Sequence, residues 1–491
     1  MRVRTNTLDA LLLGGWALLF AYVSLVPFYY LQPVRLTLEP ATLTAWKYLP
    51  LGFVGCLVGF ALAAGWSRAA RALRTVSPVF VASVAAYAGI SLLSVAAGAE
   101  YQLVGLLKAL YYGATGPLLP LLIVIQFAHR ELVSRLVHWV VCVAAVVGLY
   151  GLAVNVSGSD PLWGETQGAH NPTYGGVDRA GSTLGNPVVA GSYLALCLPF
   201  ALWACRSASA ASRAGFYAVC AGLMALGLAL SFSRGAWLAG AVACAVQLWL
   251  RGQAPSRSTV LRGHRRDWVI WALCGVLLLS VVADLLSVFA SGRYRTRGAL
   301  MWRQLGERVE QTVNWRETES FRMAQFGTTR RVLQAHPLLG VGFGNFTRLF
   351  DRYQKDSASP LSESSARVVT TDNMYLMVTC ETGLLGLAAF LTMLAAIGWA
   401  LLLGWRFVPP GHQRELLRAS FGALSGFLAN MVGWDAMNHP AVRITFWMLM
   451  GVSLASVRCA WVPAAVGGLT GQRVDGGGGP AGEVAVSCGP N

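Results

Sequence analysis

Residues Asn186–Leu250 read NPVVAGSYLALCLPFALWACRSASAASRAGFYAVCAGLMALGLALSFSRGAWLAGAVACAVQLWL. Three apolar runs, 186 to 205, 214 to 231 and 235 to 250, follow one another with two polar breaks, one holding Arg206 and Arg213 and one at Ser231-Phe-Ser-Arg234-Gly235. Each run approaches the roughly 20 residues an α-helix needs to cross about 30 Å of hydrocarbon at 1.5 Å per residue. A membrane β-strand needs only about 10 residues and strict apolar–polar alternation, whereas these runs are continuous. The stretch predicts three consecutive membrane-crossing helices.

Extended along the chain, the same reading predicts 12 spans: 10 to 28, 48 to 66, 77 to 97, 103 to 127, 134 to 155, 186 to 205, 214 to 231, 235 to 250, 268 to 290, 383 to 404, 419 to 434 and 441 to 461. Composition agrees, because 55% of the 491 residues are hydrophobic, only 12% are charged, and the mean hydropathy is +0.54. Soluble domains carry about 25% charged residues, so a water-soluble enzyme and a disordered chain are both excluded. Most of the 10 cysteines sit in or beside apolar runs without a CxxC pair and read as packing residues. No His/Cys or Asp-rich metal signature is present, so metal-independent chemistry without a cofactor is expected. Ala10–Tyr30 is too long for a signal-peptide core and lacks a small-residue cleavage site.

Basic residues set the topology. With the N-terminus inside, 19 Arg fall in the inside segments, while the short outside loops hold Arg35, Lys47, Arg179 and Arg234, with Arg443 at the edge of the last span. Both termini are therefore expected inside. Spans one to nine fill residues 1–290, an outside loop domain fills 291–372, spans 10 to 12 fill 373–463, and a Gly-rich tail, 464–491, is expected to be disordered. Ser291–Thr371 holds 13 basic residues against seven acids, net +6, which suggests an anionic partner. Within it, Glu307–Glu319 and Arg322–Leu333 read as helices, His336-Pro337 as a helix stop, and Gly340-Val-Gly-Phe-Gly344 as a turn in preference to a phosphate cradle.

Arg179, Arg234 and Arg322 are expected on one membrane face, each in a Gly-punctuated segment, and guanidinium forks suit phosphate oxygens. Interfacial snorkelling is the alternative for any one of them. Lys108, about six residues inside the fourth span, is an intramembrane cation and therefore a candidate anion contact. His336 could serve as a base, against a helix-end structural role.

Four segments between Arg179 and Leu391 resemble, in order, those of the O-antigen ligase and polymerase superfamily: Arg179-Ala-Gly-Ser-Thr-Leu-Gly-Asn186-Pro187, the Ser-Arg234-Gly turn, Arg322 with His336-Pro-Leu-Leu-Gly-Val-Gly-Phe-Gly-Asn-Phe, and Asp372-Asn373-Met-Tyr375 leading to Glu381-Thr-Gly383-Leu-Leu-Gly386. The last is similar to the ligase pattern His-Asn, nine residues, Gly-x-x-Gly, with Asp372 where the family has His. The resemblance implies an all-α, GT-C-like polytopic enzyme of the bacterial inner membrane with its active site periplasmic. It implies transfer of an O-antigen polysaccharide from undecaprenyl pyrophosphate to a lipid A-core acceptor, with membrane lipids as surroundings and no nucleic acid. Polymerisation of repeat units, or transfer to protein, is the rival within the superfamily, and transport of an anionic solute is the rival from another class.

For such an inverting transfer, pyrophosphate is already a good leaving group, so cationic charge can replace a metal. Arg234 and Arg322 are expected there, with Arg179 and Lys108 as further contacts. Asp372 is the expected base, Asn373 and Tyr375 the groups that orient substrate. Asp372 could instead cap the helix that follows it.

Overall fold

The computed structural model describes residues 7–25, 35–38, 41–63, 70, 72–98, 100–127, 130–157, 160–162, 181–231, 233–252, 316–353 and 371–461. Among them the only strands are a short antiparallel hairpin, β1 (Arg35–Leu38) and β2 (Ala41–Thr44). Everything else regular is helical. The first half supplies α1 (Thr7–Leu25), α2 (Ala45–Ala63), α3 (Pro78–Ala97), α4 (Gln102–Ala114), α5 (Leu118–Gln126), α6 (Arg130–Ser157), α7 (Pro187–Ser207), α8 (Ala211–Leu230) and α9 (Arg234–Gly252). Two helices, α10 (Arg316–Ala335) and α11 (Phe346–Tyr353), follow from the polar loop, and α12 (Met374–Phe407), α13 (His412–Gly433) and α14 (Pro440–Trp461) close the bundle.

Seven helical stretches are long and apolar enough to cross a membrane, and α1, α2 and α9 contain shorter apolar stretches. The protein is a polytopic helical membrane protein. The eleventh predicted span is α13, whose first turns carry Arg414, Glu415 and Arg418. The ninth, 268 to 290, and the expected disordered tail lie outside the described residues.

Local chemistry sets the boundaries. Asn186 caps α7, its side-chain oxygen accepting the Val188 and Val189 N–H groups while Pro187 occupies the first turn, where a missing N–H costs nothing. The Asn-Pro motif is thus a helix start. α7 and α14 are the central helices, each 94% buried over its most apolar window. The α9 and α13 backbones touch, because a Cβ at Gly422 or Gly426 would lie 2.6 and 2.3 Å from the carbonyls of Ala243 and Ala239. Small residues four apart are how helices approach closely where lipid removes any hydrophobic drive to associate.

The span from 103 to 127 is present as the apolar stretch Gln102–Gln126, with a turn through Thr115–Pro117 between α4 and α5, where Pro117 has no N–H to continue α4. One expectation needs correction. The loop helices expected at Glu307–Glu319 and Arg322–Leu333 are one element where described: nothing between Glu319 and Arg322 lacks an amide donor, so α10 runs unbroken from Arg316 to Ala335. It stops before His336-Pro337, as expected. Residues 307–315 lie outside the described residues.

Candidate functional site

α12 is a broken helix. Gly383 sits at φ 67°, ψ −168°, a conformation reached almost solely by glycine, and divides α12 into Met374–Thr382 and Leu384–Phe407. A break inside a membrane span strands backbone groups that lipid cannot satisfy, so protein must. The segment after α10 does this: Leu384 N–H donates to the Pro337 carbonyl at 2.9 Å, Leu385 N–H to Leu338 at 3.4 Å, and Val341 N–H donates to the Cys380 carbonyl at 2.9 Å. The fit leaves no room for side chains. A Cβ at Gly383 would lie 2.2 Å from the Leu338 carbonyl group, and one at Gly340 would lie 2.4 Å from the Cys380 oxygen.

The same loop is fastened on its other side to α3 and α4. Phe343 N–H donates to Ser94 Oγ at 3.1 Å, Asn345 Nδ2 to the Glu100 carbonyl at 3.1 Å, and Lys108 Nζ to the Gly344 carbonyl at 2.6 Å. α11 adds Arg352, paired with Glu100 at 2.7 Å, and Arg348, stacked 5.0 Å over the Tyr101 ring. Glu100 holds the Arg352 guanidinium still higher above its ordinary range. The Gly340–Gly344 run is a turn, as expected, and its docking against α12, α3 and α4 is what the structure adds; two of the loop's cations are spent on fastening it.

Beneath the turn lies a buried polar cluster that sequence reasoning missed. The buried Glu381 carboxylate, two residues before the break, accepts the Gly344 and Phe346 N–H groups and lies in electrostatic range of Lys108 and Asp435. Arg443, also buried, donates to Thr115 Oγ1 from two nitrogens at 3.1 and 3.2 Å and to the Met437 carbonyl at 2.8 Å, and its guanidinium lies 3.8 Å from the Tyr112 ring centroid. Two carboxylates and two cations thus share a low-dielectric region, the arrangement that makes buried charge tolerable. The rule that flagged Lys108, an ionisable group inside a span, applies equally to the others. It was not triggered because the predicted spans began or ended within two residues of Glu381, Asp435 and Arg443.

Of the expected site residues, Asp372, Asn373, Tyr375, Lys108 and His336 have described side chains. Arg179 lies outside the described residues. Asn373 is the cap of α12, its Oδ1 accepting Leu376 N–H at 3.1 Å while its Nδ2 donates to the Val432 carbonyl of α13 at 2.9 Å. Asp372 is consequently not the cap. It is half-buried in the left-handed region at φ 45°, which Asp tolerates better than most residues, and accepts a long 3.5 Å hydrogen bond from Gln325 Nε2 of α10. Tyr375 donates its hydroxyl to the Leu428 carbonyl of α13 at 3.0 Å. His336 is exposed and bonded to the Tyr353 hydroxyl at 2.9 Å.

These contacts bring three sequence motifs to one end of the bundle. Gln325 is one turn beyond Arg322 on α10 and reaches Asp372. Asn373 is bonded to the end of α13, and on α13 the buried Asn430 side chain lies 3.3 Å from where a Cβ on Gly235 would be, next to Arg234 at the start of α9. Among the described residues no three His, Cys, Asp or Glu side chains converge as metal ligands.

Comparison with curated proteins yields no match. A family model described as O-antigen ligase matches residues 219–391. That interval runs from α8 through the Arg234 turn, α10, the docking turn and α11 to the second half of the broken α12; α3, α4 with Thr115, α13, and the Asp435 and Arg443 part of the buried cluster lie outside it. Over this interval the chain is similar to the O-antigen ligase family.

Proposed function

We propose that this membrane enzyme transfers an O-antigen polysaccharide from undecaprenyl pyrophosphate to a lipid A-core acceptor, at the periplasmic face of the bacterial inner membrane and without a metal. The observation that carries the reading is the convergence of Asp372, α10 and the Arg234 end of α9 within the matched domain. Asp372 takes the proton of the acceptor hydroxyl as its oxygen attacks the anomeric carbon. The bond from that carbon to the pyrophosphate oxygen breaks, the lipid pyrophosphate leaves, and one displacement inverts the anomeric centre. Arg234 and Arg322 neutralise the departing charge, with Arg179 as helper, which fixed cationic donors do better than water because they need no reorganisation. Asn373 and Tyr375 act by holding the start of α12 against α13, so that Asp372 faces the acceptor.

The test is transfer by purified protein reconstituted with carrier-linked glycan, offered lipid A-core, a second carrier-linked glycan or an acceptor protein. Glycosylated lipid A-core is the expected product, and elongated carrier-linked glycan or glycoprotein would replace this acceptor with another. Arg234→Ala and Arg322→Ala should each lose about 10²-fold or more in rate. Near wild-type transfer by both would remove the arginines from the mechanism.

A further inference from the structure

The helix ends farthest from Asp372 enclose a cavity of about 510 Å³ lined by Arg135 and His138 of α6, Ser207 of α7, Arg213 and Tyr217 of α8, and His412 of α13. It is separate from the candidate transfer site. α13 begins at His412 and reaches Val432, the residue bonded to Asn373, after a rise of about 30 Å.

The cavity's rings are held by contacts of their own, and its arginines and a helix start supply its donors. The Trp203 ring lies 5.1 Å from His138 and 4.6 Å from His412, and its N–H donates to the His412 carbonyl at 3.1 Å. His138 Nδ1 lies 2.7 Å from the Ser134 carbonyl, which can only accept, so the proton is on Nδ1 and the ring is fixed. Arg213 donates to Ser209 Oγ at 2.8 Å, leaving most of its five N–H groups for a ligand. It sits in the first turn of α8, whose N-cap, Ala210, offers no side-chain cap, so the helix start adds backbone N–H donors to the guanidinium. Arg135 faces Glu131 at 4.0 Å, both more than half exposed, a pairing too weak to hold the guanidinium from a better anion.

Its surroundings are those of a lipid headgroup. The lining runs from the helix ends to about three turns into α6, and the adjoining surface is apolar: Phe216 is 52% exposed, Val219 58% and Trp139 43%. A large exposed apolar surface on a spanning helix faces acyl chains, and tryptophan at such a depth marks the interface. We propose that this cleft binds the phosphate of an anionic membrane phospholipid in the leaflet opposite the transfer site. Two arginine forks and an uncapped helix start recognise a phosphodiester, and the apolar rim accommodates its acyl chains.

The test uses the full chain, purified in detergent and stripped of lipid, with retention followed by native mass spectrometry. Phosphatidylglycerol should be retained about tenfold more tightly than phosphatidylcholine, whose headgroup brings its own cation. Arg213→Gln and Arg135→Gln should each erase most of that preference, whereas Arg406→Gln, an exposed cation at the end of α12 outside the cleft, should keep it. Arg213→Lys, which preserves charge but not the fork, should fall between and stands in if the Gln variant does not fold. Equal retention of the two lipids by wild-type protein, or an equal loss in Arg406→Gln, would overturn the proposal. Displacement of phosphatidylglycerol by millimolar inorganic phosphate would overturn the lipid as occupant, making this a site for a soluble phosphate.

Discussion

Gly383→Ala should disconnect the docking turn from α12. The new Cβ would lie 2.2 Å from backbone atoms of Leu338, so no rotamer change relieves the clash, and alanine is strained at φ 67°, ψ −168° in any case. Strain in that region costs about 1 to 3 kcal/mol. Moving Leu338 away also withdraws the acceptors of Leu384 and Leu385 N–H, and each buried donor left unsatisfied costs about 1 to 3 kcal/mol. A total on the order of 3 to 9 kcal/mol exceeds what the small apolar cluster around Val332, Val341, Phe346 and Phe350 can resist without yielding locally. The turn should detach before the bundle unfolds, taking α10 and Gln325 away from Asp372. Hydrogen exchange should show lost protection at Leu384 and Leu385, and transfer should fall by about 10²-fold or more. Gly398→Ala is the control: in the same helix its Cβ would meet only Leu424 Cδ2 at an ordinary 3.5 Å, and activity should be unchanged. Wild-type protection and turnover in Gly383→Ala would refute the reasoning.

Three further outcomes follow from the site. Asp372→Asn should cut turnover by about 10²-fold or more at unchanged thermal stability, because Asn accepts the same backbone conformation and the Gln325 bond but cannot act as a carboxylate base; full activity would shift attention to His336. Lys108→Met removes a charged hydrogen bond to Gly344 and should cost about 2 kcal/mol of stability in denaturant unfolding. Combined with Glu381→Gln it should cost less than the two separately, by at least about 1 kcal/mol, and strict additivity would show that the two side chains are not coupled. Tyr375→Phe should lose about 1 kcal/mol of stability and little turnover, since its hydroxyl is bonded to α13; a large loss of turnover alone would give that hydroxyl to the substrate.

The sequence by itself determined the spans that fall among the described residues and many of their ends. Hydropathy sums over a window, so runs such as 214 to 231 or 441 to 461 declare themselves without their neighbours, and Asn186-Pro187 or His336-Pro337 act through bonds a few residues long. It also picked out Asp372, Arg234 and Arg322 by their place in motifs. Only the tertiary structure decided what those motifs rest on. Gly340 reads as a turn glycine and Gly383 as part of a Gly-x-x-Gly pattern until a segment some 45 residues upstream of Gly383 is seen pressed against the break in α12. Asn373 rather than Asp372 proved to be the cap, a choice made by the α13 carbonyl that Asn373 also reaches. Glu381, Lys108, Asp435 and Arg443 form one buried cluster across three helical segments and a loop. The physical reason is the same in each case: burial of an apolar run is additive along the chain, whereas charge compensation and steric fit depend on distances between residues that sequence order leaves free.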